Sequence, residues 1–221
     1  MTAAPSHLHG PAPVSRRRWY EQALGWPVAD GPPVQLLTGV RFDALGLPVD
    51  AGLAVVQRLP PAGPVAFDPQ ARRIWFLTAA GSAEELPGLI EWLEWGGVAL
   101  DLTAQGLDGR ITAPSPVGGV PGQHGPGDGP GAAQEAVWLR PPRTGCEVEP
   151  TLPAAGLGGE GAAPGLVRLV SAAATECHRA RLLRAGAARR RQPSGDRPDQ
   201  PLAFSYASRM SAGTRPRSLT L

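Results

Sequence analysis

The sequence has no lysine and only two cysteines, and it contains no long apolar run. All 21 basic residues are arginine, which together with abundant alanine, glycine and proline is typical of a GC-rich bacterial genome. Cys146 and Cys177 form no C-x-x-C pair, which excludes a zinc ribbon or a thioredoxin-type site. No run approaches the roughly 18 apolar residues of a membrane span, and no signal-peptide pattern opens the chain. We therefore expect a soluble, cytoplasmic protein without a disulfide framework.

The common nucleotide-binding and hydrolase fingerprints are also missing. The chain has neither a Walker A motif nor G-x-G-x-x-G, and Ser115 is not surrounded by G-x-S-x-G. Nothing in these motifs indicates a P-loop enzyme, a dinucleotide-binding domain or a serine hydrolase.

The length and composition predict one domain with long irregular segments. A chain of 221 residues with 42% hydrophobic content can build one real core. Its 29 glycines and 26 prolines indicate much loop or disorder. We expect disorder over 1–14 and in a basic tail over 192–221, and a domain over 15–191. Two flexible loops are predicted within that domain, over 117–133 and 143–163.

Charge is distributed unevenly along the chain. Residues 1–163 hold 10 arginines and 16 acidic residues, whereas residues 164–221 hold 11 arginines and 3 acidic residues. A basic end of this kind is compatible with nucleic-acid contact. The simpler interpretation, which the composition favours, is a solvated, unstructured end.

Residues 72–116 carry the clearest pattern, which reads as strand, helix, strand, turn and strand. Large apolar side chains predict a buried strand over 72–79, and Ser82 with Glu85 forms an S-x-x-E capping signature. Pro87 allows the helix to begin later, at Leu86. The helix is predicted to end at Gly96-Gly97, and its apolar stripe consists of Leu86, Leu89, Ile90 and Leu93. After it, the pattern predicts a strand over 98–102, a turn over 106–109 and a strand over 110–114.

The whole pattern predicts an α+β fold, a mixed or antiparallel sheet with helices packed on it. Outside the central stretch, we expect helices over 16–24, 48–59 and 164–191, and extended segments over 26–28, 34–37, 40–45, 65–67 and 136–139. Leu53, Val56 and Leu59 are predicted to line the second of these helices. The inward face of the last helix is predicted as Leu166, Leu169, Val170, Ala173, Ala174 and Cys177, with His178 on the surface.

Asp43 and Asp101 are the main candidates for chemistry. Each is an acidic residue with apolar neighbours in a predicted strand. Nucleotidyl transfer needs divalent metal held by carboxylates from neighbouring strands, and a buried carboxylate without a partner is costly. The alternative is that each aspartate faces solvent at an edge strand or caps a turn.

Gly106, Gly109 and Arg110 are candidates for contacting a nucleotide or a template. Glycine lets the backbone approach a ligand closely, and arginine supplies a forked donor for phosphate. A tight hairpin explains the two glycines equally well. The six tryptophans could stack on bases or fill the core. We expect a core position for most of them, including Trp75 and Trp138 on predicted strands.

Two groups of segments resemble the N-terminal domain of the bifunctional DNA primase/polymerase family, of the archaeo-eukaryotic primase superfamily. The first group is Gly25-Trp26-Pro27-Val28 and Thr38-Gly39-Val40-Arg41-Phe42-Asp43. The second is Leu100-Asp101-Leu102 followed by the segment from Gly106 to Ser115, and residues 136–139 resemble the strand after it. The resemblance covers roughly residues 19–142.

This resemblance implies a primase/polymerase-like fold and a DNA-templated nucleotidyltransferase. Asp43 and Asp101 would hold Mg²⁺ or Mn²⁺, and Arg110 would contact a triphosphate or the template. Leu45 stands where the family has its second acidic residue, and Trp75 and Phe76 stand where it has a histidine. The chain thus resembles a degenerate member, with two alternatives: a non-catalytic nucleic-acid-binding or replication-accessory module, and an interaction protein of another process.

Overall fold

The computed structural model describes residues 16–61, 63–116, 135–155 and 165–191. Their fold is α+β, as the sequence predicts, and the sheets are antiparallel throughout their named strands. The helices are α1 (Arg16–Trp19, continued by a π-helical turn over Tyr20–Leu24), α2 (Val49–Arg58), α3 (Ser82–Trp92) and α4 (Leu166–Arg191). The strands are β1 (Val28–Ala29), β2 (Gln35–Leu37), β3 (Asp43–Pro48), β4 (Val65–Asp68), β5 (Arg73–Thr78), β6 (Thr103–Gln105), β7 (Arg110–Thr112) and β8 (Val137–Arg140).

The centre of the fold is a five-stranded sheet with the order β6-β3-β5-β4-β8. All six residues of β3 are buried, and they pair one-to-one with β5, from Asp43 opposite Thr78 to Pro48 opposite Arg73. Strands buried on both faces read as continuous apolar runs rather than alternating ones. This is why the apolar segment before Thr78 identifies a strand so clearly.

The two faces of this sheet carry different layers. Side chains such as Leu45, Leu47 and Phe76 pack against the helices α2, α3 and α4. Their neighbours along the strands, such as Ala44 and Trp75, pack against a second, smaller core. The alternation follows from the two-residue period of a strand, and it produces a helical layer, a central sheet and a second β layer.

The second β layer is a three-stranded sheet with the order β1-β2-β7, joined to an aromatic cluster. The Tyr20 hydroxyl donates a hydrogen bond to the Pro114 carbonyl (2.8 Å) and accepts one from Trp138 Nε1 (3.0 Å). Burial raises the pKa of the Tyr20 phenol, so it stays a neutral donor. Trp75 and Trp138 are core residues, as predicted.

The long helix α4 covers the other face. Its predicted inward residues are all buried, including Cys177. The buried Glu176 carboxylate forms an ion pair with Arg58, which joins α4 to the end of α2. The expectation that His178 lies on the surface is corrected, because its ring is half-buried and lies 5.7 Å from the Trp95 ring.

The segment after α3 departs from the sequence prediction. Residues 98–102 do not form a strand, and the strand begins instead at Thr103, as β6. The helix ends at Trp92 rather than at Gly96-Gly97, with Glu94 as the residue at positive φ. The apolar side chains of Leu100 and Leu102 pack on the helical core without strand pairing, which explains their hydrophobic pattern. The predicted strand 110–114 is confirmed at β7, which belongs to the other sheet.

Two helices also differ from their predicted details. Helix α3 begins at Ser82 and passes through Pro87, and no side chain of its own first turn caps it. In α2 the fully buried residues are Ala51, Gly52 and Val55, whereas Leu53 is 44% exposed. The small residues face inward because the helix lies close to β5.

The predicted flexible loop over 143–163 is described only up to residue 155 and resumes at 165. Its described part contains a short 3₁₀ helix over Glu149–Thr151 and is anchored, since Val148 and Leu152 are buried in the aromatic core. The loop over 117–133 and the predicted disordered ends lie outside the described residues. Among the described helices, none combines the length and the apolar character that crossing a membrane requires.

Two helical glycines provide a matched test of this packing. A Cβ at Gly52 would lie 2.6 Å from Ile74 Cβ, whereas a Cβ at Gly88 would meet nothing within 4 Å. We expect Gly52→Ala to lower the free energy of unfolding by roughly 1–3 kcal/mol through overpacking. Gly88→Ala should raise it by about 0.5–1 kcal/mol, since alanine favours helix. Urea unfolding measures both, and a neutral Gly52→Ala would contradict the close approach of α2 to β5.

Candidate functional site

Asp43 lies at the start of β3, on the helical face of the central sheet. Its side chain is 1% exposed, and its Oδ2 accepts a hydrogen bond from the backbone N–H of Ala83 (2.8 Å). The first N–H groups of a helix have no partner within the helix. Asp43 therefore caps α3 from a position 40 residues earlier in the chain.

The other oxygen of Asp43 is buried without a hydrogen-bond partner among the described residues. Beside it is a void of about 10 Å³, lined largely by apolar side chains such as Leu45, Leu86 and Leu166. Burial raises the pKa of the Asp43 carboxyl, and the nearby Glu84 adds to the effect, while the Ala83 N–H opposes it. The void is too small for a hydrated ion.

Asp101 lies in the irregular segment before β6. Its Oδ1 accepts from Arg73 Nη2 (2.6 Å), and its backbone carbonyl accepts from Arg73 Nη1 (2.9 Å). Further along the segment, Arg181 Nη1 donates to the Ala99 carbonyl (2.7 Å). Both contacts fasten the segment to its neighbours, so Asp101 has a structural partner where the sequence predicts a metal ligand.

The structure does not bring Asp43 and Asp101 together. Asp43 is opposite Thr78 in β5, whereas Asp101 binds Arg73 at the other end of the same strand. Five residues of strand separate these positions by roughly 16 Å. Two oxygens on one Mg²⁺ or Mn²⁺ are at most about 5 Å apart, since each metal–oxygen bond is about 2.0–2.6 Å. This separation along β5 argues against the expected shared metal site, which stays a prediction. The described residues contain no cluster of three or more metal-ligating side chains.

Gly106 and Gly109 form a turn that packs against the protein itself. Thr38 Oγ1 donates to the Gly106 carbonyl (2.7 Å), and a Cβ at Gly109 would lie 2.6 Å from that hydroxyl. A Cβ at Gly106 would lie 2.9 Å from the Glu84 carboxylate. Close packing and a neighbouring negative charge account for these glycines better than phosphate binding does.

The predicted hairpin at these glycines is not formed either. The strand before the turn, β6, pairs with β3, while the strand after it, β7, pairs with β2 in the other sheet. The turn thus carries the chain from one sheet to the next. Arg110 is exposed at the start of β7, with its backbone opposite Leu37.

A different charged feature emerges at the end of α4. The last buried residue of this helix is Ala180, so residues 181–191 project beyond the core. We call these residues the basic extension. Between Cys177 and Arg191 there are six arginines and no acidic residue. The sequence analysis predicted both the helix over 164–191 and the excess of arginine at this end of the chain.

Most of these arginines lack acidic partners among the described residues. Arg181 and Arg184 donate to the backbone carbonyls of Ala99 and Ala180. The last turn holds Arg189, Arg190 and Arg191, all exposed. Cations at a helix C-terminus are favoured by the helix dipole, and arginine is a good helix former. These two effects stabilise an extension that contains no fully buried residue.

Comparisons with known proteins found no matching family model, no matching curated protein and no matching solved structure. The primase/polymerase resemblance therefore stays a prediction. The fold class is observed directly, whereas its relation to the primase superfamily is not tested by these comparisons.

The buried Asp43 carboxyl generates a pH-dependent prediction. Burial raises the pKa of this carboxyl in the folded protein. The group therefore stabilises the fold below its unfolded pKa of about 3.9, and this stabilisation is lost as the pH rises through the pKa of the folded state. We expect Asp43→Asn to keep the hydrogen bond from the Ala83 N–H. Because asparagine does not ionise, the variant should not lose stability as the pH rises. Relative to the wild type, the variant should gain stability between pH 4 and pH 7, as measured by urea unfolding.

Addition of Mn²⁺ separates a capping role from a metal-binding one. Neither protein should gain thermal stability from millimolar Mn²⁺ if Asp43 serves only as a cap. A wild-type increase that disappears in Asp43→Asn would contradict the capping interpretation and restore a metal role for this residue.

Proposed function

We propose that this protein is a nucleic-acid-binding module whose contact surface is the basic extension of α4. The observation that supports the proposal is the projection of residues 181–191 beyond the core, with exposed arginines on its last turn. An array of arginines on a rigid helix matches the repeating phosphates of a nucleic-acid backbone.

The charge of the remaining protein favours the same surface. The described residues up to Glu176 contain 11 arginines and 15 acidic residues. A mildly acidic body repels a polyanion, so attraction is concentrated at the basic extension. The extension is about 16 Å long, given a rise of 1.5 Å per residue. That length covers several phosphates, because duplex DNA carries one charge per ~1.7 Å of axis.

The chemistry of the contact implies little sequence preference. Phosphate contacts position a protein on nucleic acid, whereas contacts to base edges provide specificity. Apart from arginine, the exposed residues of the extension are Leu182 and Leu183, at 59% and 64% exposure, and small residues. We therefore expect binding that depends on salt more strongly than on sequence.

The double variant Arg189→Gln/Arg190→Gln tests this proposal. We expect its affinity for a labelled DNA duplex to fall at least about tenfold at about 50 mM salt. The slope of log K against log salt should become shallower by about 2, since each lost phosphate contact accounts for roughly 0.9. Fluorescence anisotropy over a salt series measures both quantities.

The matched control is Arg72→Gln/Arg110→Gln, which removes two exposed arginines that lie outside α4. This variant should bind DNA like the wild type. Equal losses in both double variants would show a non-specific charge effect. An absence of binding by the wild type at low salt would overturn the proposal.

Nucleotidyl transfer with Mg²⁺ or Mn²⁺ is the alternative that the primase/polymerase resemblance implies. Along β5, roughly 16 Å separate Thr78, which is opposite Asp43, from Arg73, which binds Asp101, and this separation argues against it. Primer extension on a single-stranded template with Mn²⁺ tests it directly. We expect no extension. Extension by the wild type that disappears in Asp101→Ala would favour the enzyme instead.

A further inference from the structure

A second basic feature lies on the opposite part of the molecule, in a cleft of about 710 Å³. Its walls come from the segment before β4, the end of β8, the irregular residues 146–151 and the first turn of α4. Three arginines line it, Arg140, Arg143 and Arg168, together with one acidic residue, Glu147. The volume is within the range of about 300–1,000 Å³ that is usual for small-molecule sites.

The chemistry of the walls restricts what the cleft can bind. Six of the lining residues are prolines, which have no backbone N–H to donate. Thr151 uses its hydroxyl within the chain, on the Val148 carbonyl. Most of the donor capacity therefore belongs to the three guanidinium groups, and a complementary ligand presents hydrogen-bond acceptors and negative charge.

The surroundings of the cleft arginines favour an anion. Burial lowers the pKa of Arg140, and its Nη1 donates to the Gly63 carbonyl at 3.5 Å. Arg168 lies in the first turn of α4, where the helix dipole disfavours a cation, and that turn contains no acidic residue. No ion pair of Arg143 or Arg168 exists among the described residues. An anion in the cleft would therefore compensate Arg143 and Arg168.

We propose that this cleft is a binding site for a small organic anion that carries a phosphate or carboxylate group. Guanidinium groups recognise both groups through paired N–H donors. The apolar faces of the prolines contact the uncharged part of the ligand. The site is independent of the basic extension, because Arg168 and Arg189 are separated by roughly 32 Å along α4.

The two cysteines provide a direct measure of occupancy. Cys146 is exposed and lines the cleft, whereas Cys177 is buried, and burial raises its pKa to about 12. Iodoacetamide should therefore alkylate Cys146 selectively in the folded protein. An anion that occupies the cleft should slow this reaction, about tenfold when its concentration exceeds the Kd about tenfold.

Pyrophosphate and citrate are the two probes, compared with sodium chloride at equal ionic strength. Protection by pyrophosphate alone assigns a phosphate ligand, protection by citrate alone assigns a carboxylate ligand, and protection by both supports a general anion site. No protection by either probe at millimolar concentration overturns the proposal. Mass spectrometry of the alkylated protein distinguishes Cys146 from Cys177.

Single substitutions show whether the arginines are responsible. Arg143→Gln and Arg168→Gln, both at exposed side chains, should lose most of the protection, whereas Arg110→Gln should keep it. The ratio of alkylation rates with and without probe is compared within each variant, which removes any change in intrinsic reactivity. Unchanged protection in both cleft variants would contradict the site. Circular dichroism confirms that each variant is folded.

Discussion

The pairing of β3 with β5 is the constraint on which the rest of the structure depends. Six consecutive residue pairs join two strands that are covered on both faces. Their alternating side chains enter two separate cores, so a one-residue slip would exchange the contents of both. The helices α2, α3 and α4 pack on one face, and the small sheet and the aromatic cluster pack on the other. This register also positions the charged residues Asp43 and Arg73 at opposite ends of the pair.

The same register determines the roles of the two aspartates. It sets Asp43 beside the first turn of α3, where a carboxylate satisfies a backbone donor. It sets Arg73 at the opposite end of β5, where that side chain holds Asp101. Two acidic residues with similar sequence surroundings thus stabilise two different backbone segments. An acidic residue in an apolar strand indicates a need for a partner, but a peptide N–H or an arginine satisfies that need as well as a metal does.

What surrounds each arginine separates the observed structural roles from the binding roles that we propose. Arg58 and Arg73 are paired with carboxylates and join elements of the core. Those of the basic extension and of the cleft lie where acidic residues are few, at the two ends of α4. A chain without lysine uses arginine for both purposes. Its composition alone therefore does not distinguish an ion pair from a binding surface, whereas the partners of each side chain do.

Local pattern was sufficient for the α+β class, for the long strand β5 and for the buried face of α4, because periodic apolar residues report burial directly. The pattern wrongly predicted a strand over residues 98–102, because their apolar side chains pack without strand pairing. It also predicted Ser82 as the cap of α3, a role that Asp43 takes. The sequence also contained the charge asymmetry of the last helix. Only the tertiary structure decided that Asp43 and Asp101 lie far apart, and that Arg140, Arg143 and Arg168 share one cleft. Both results depend on strand register and on contacts between distant segments, which no local period encodes.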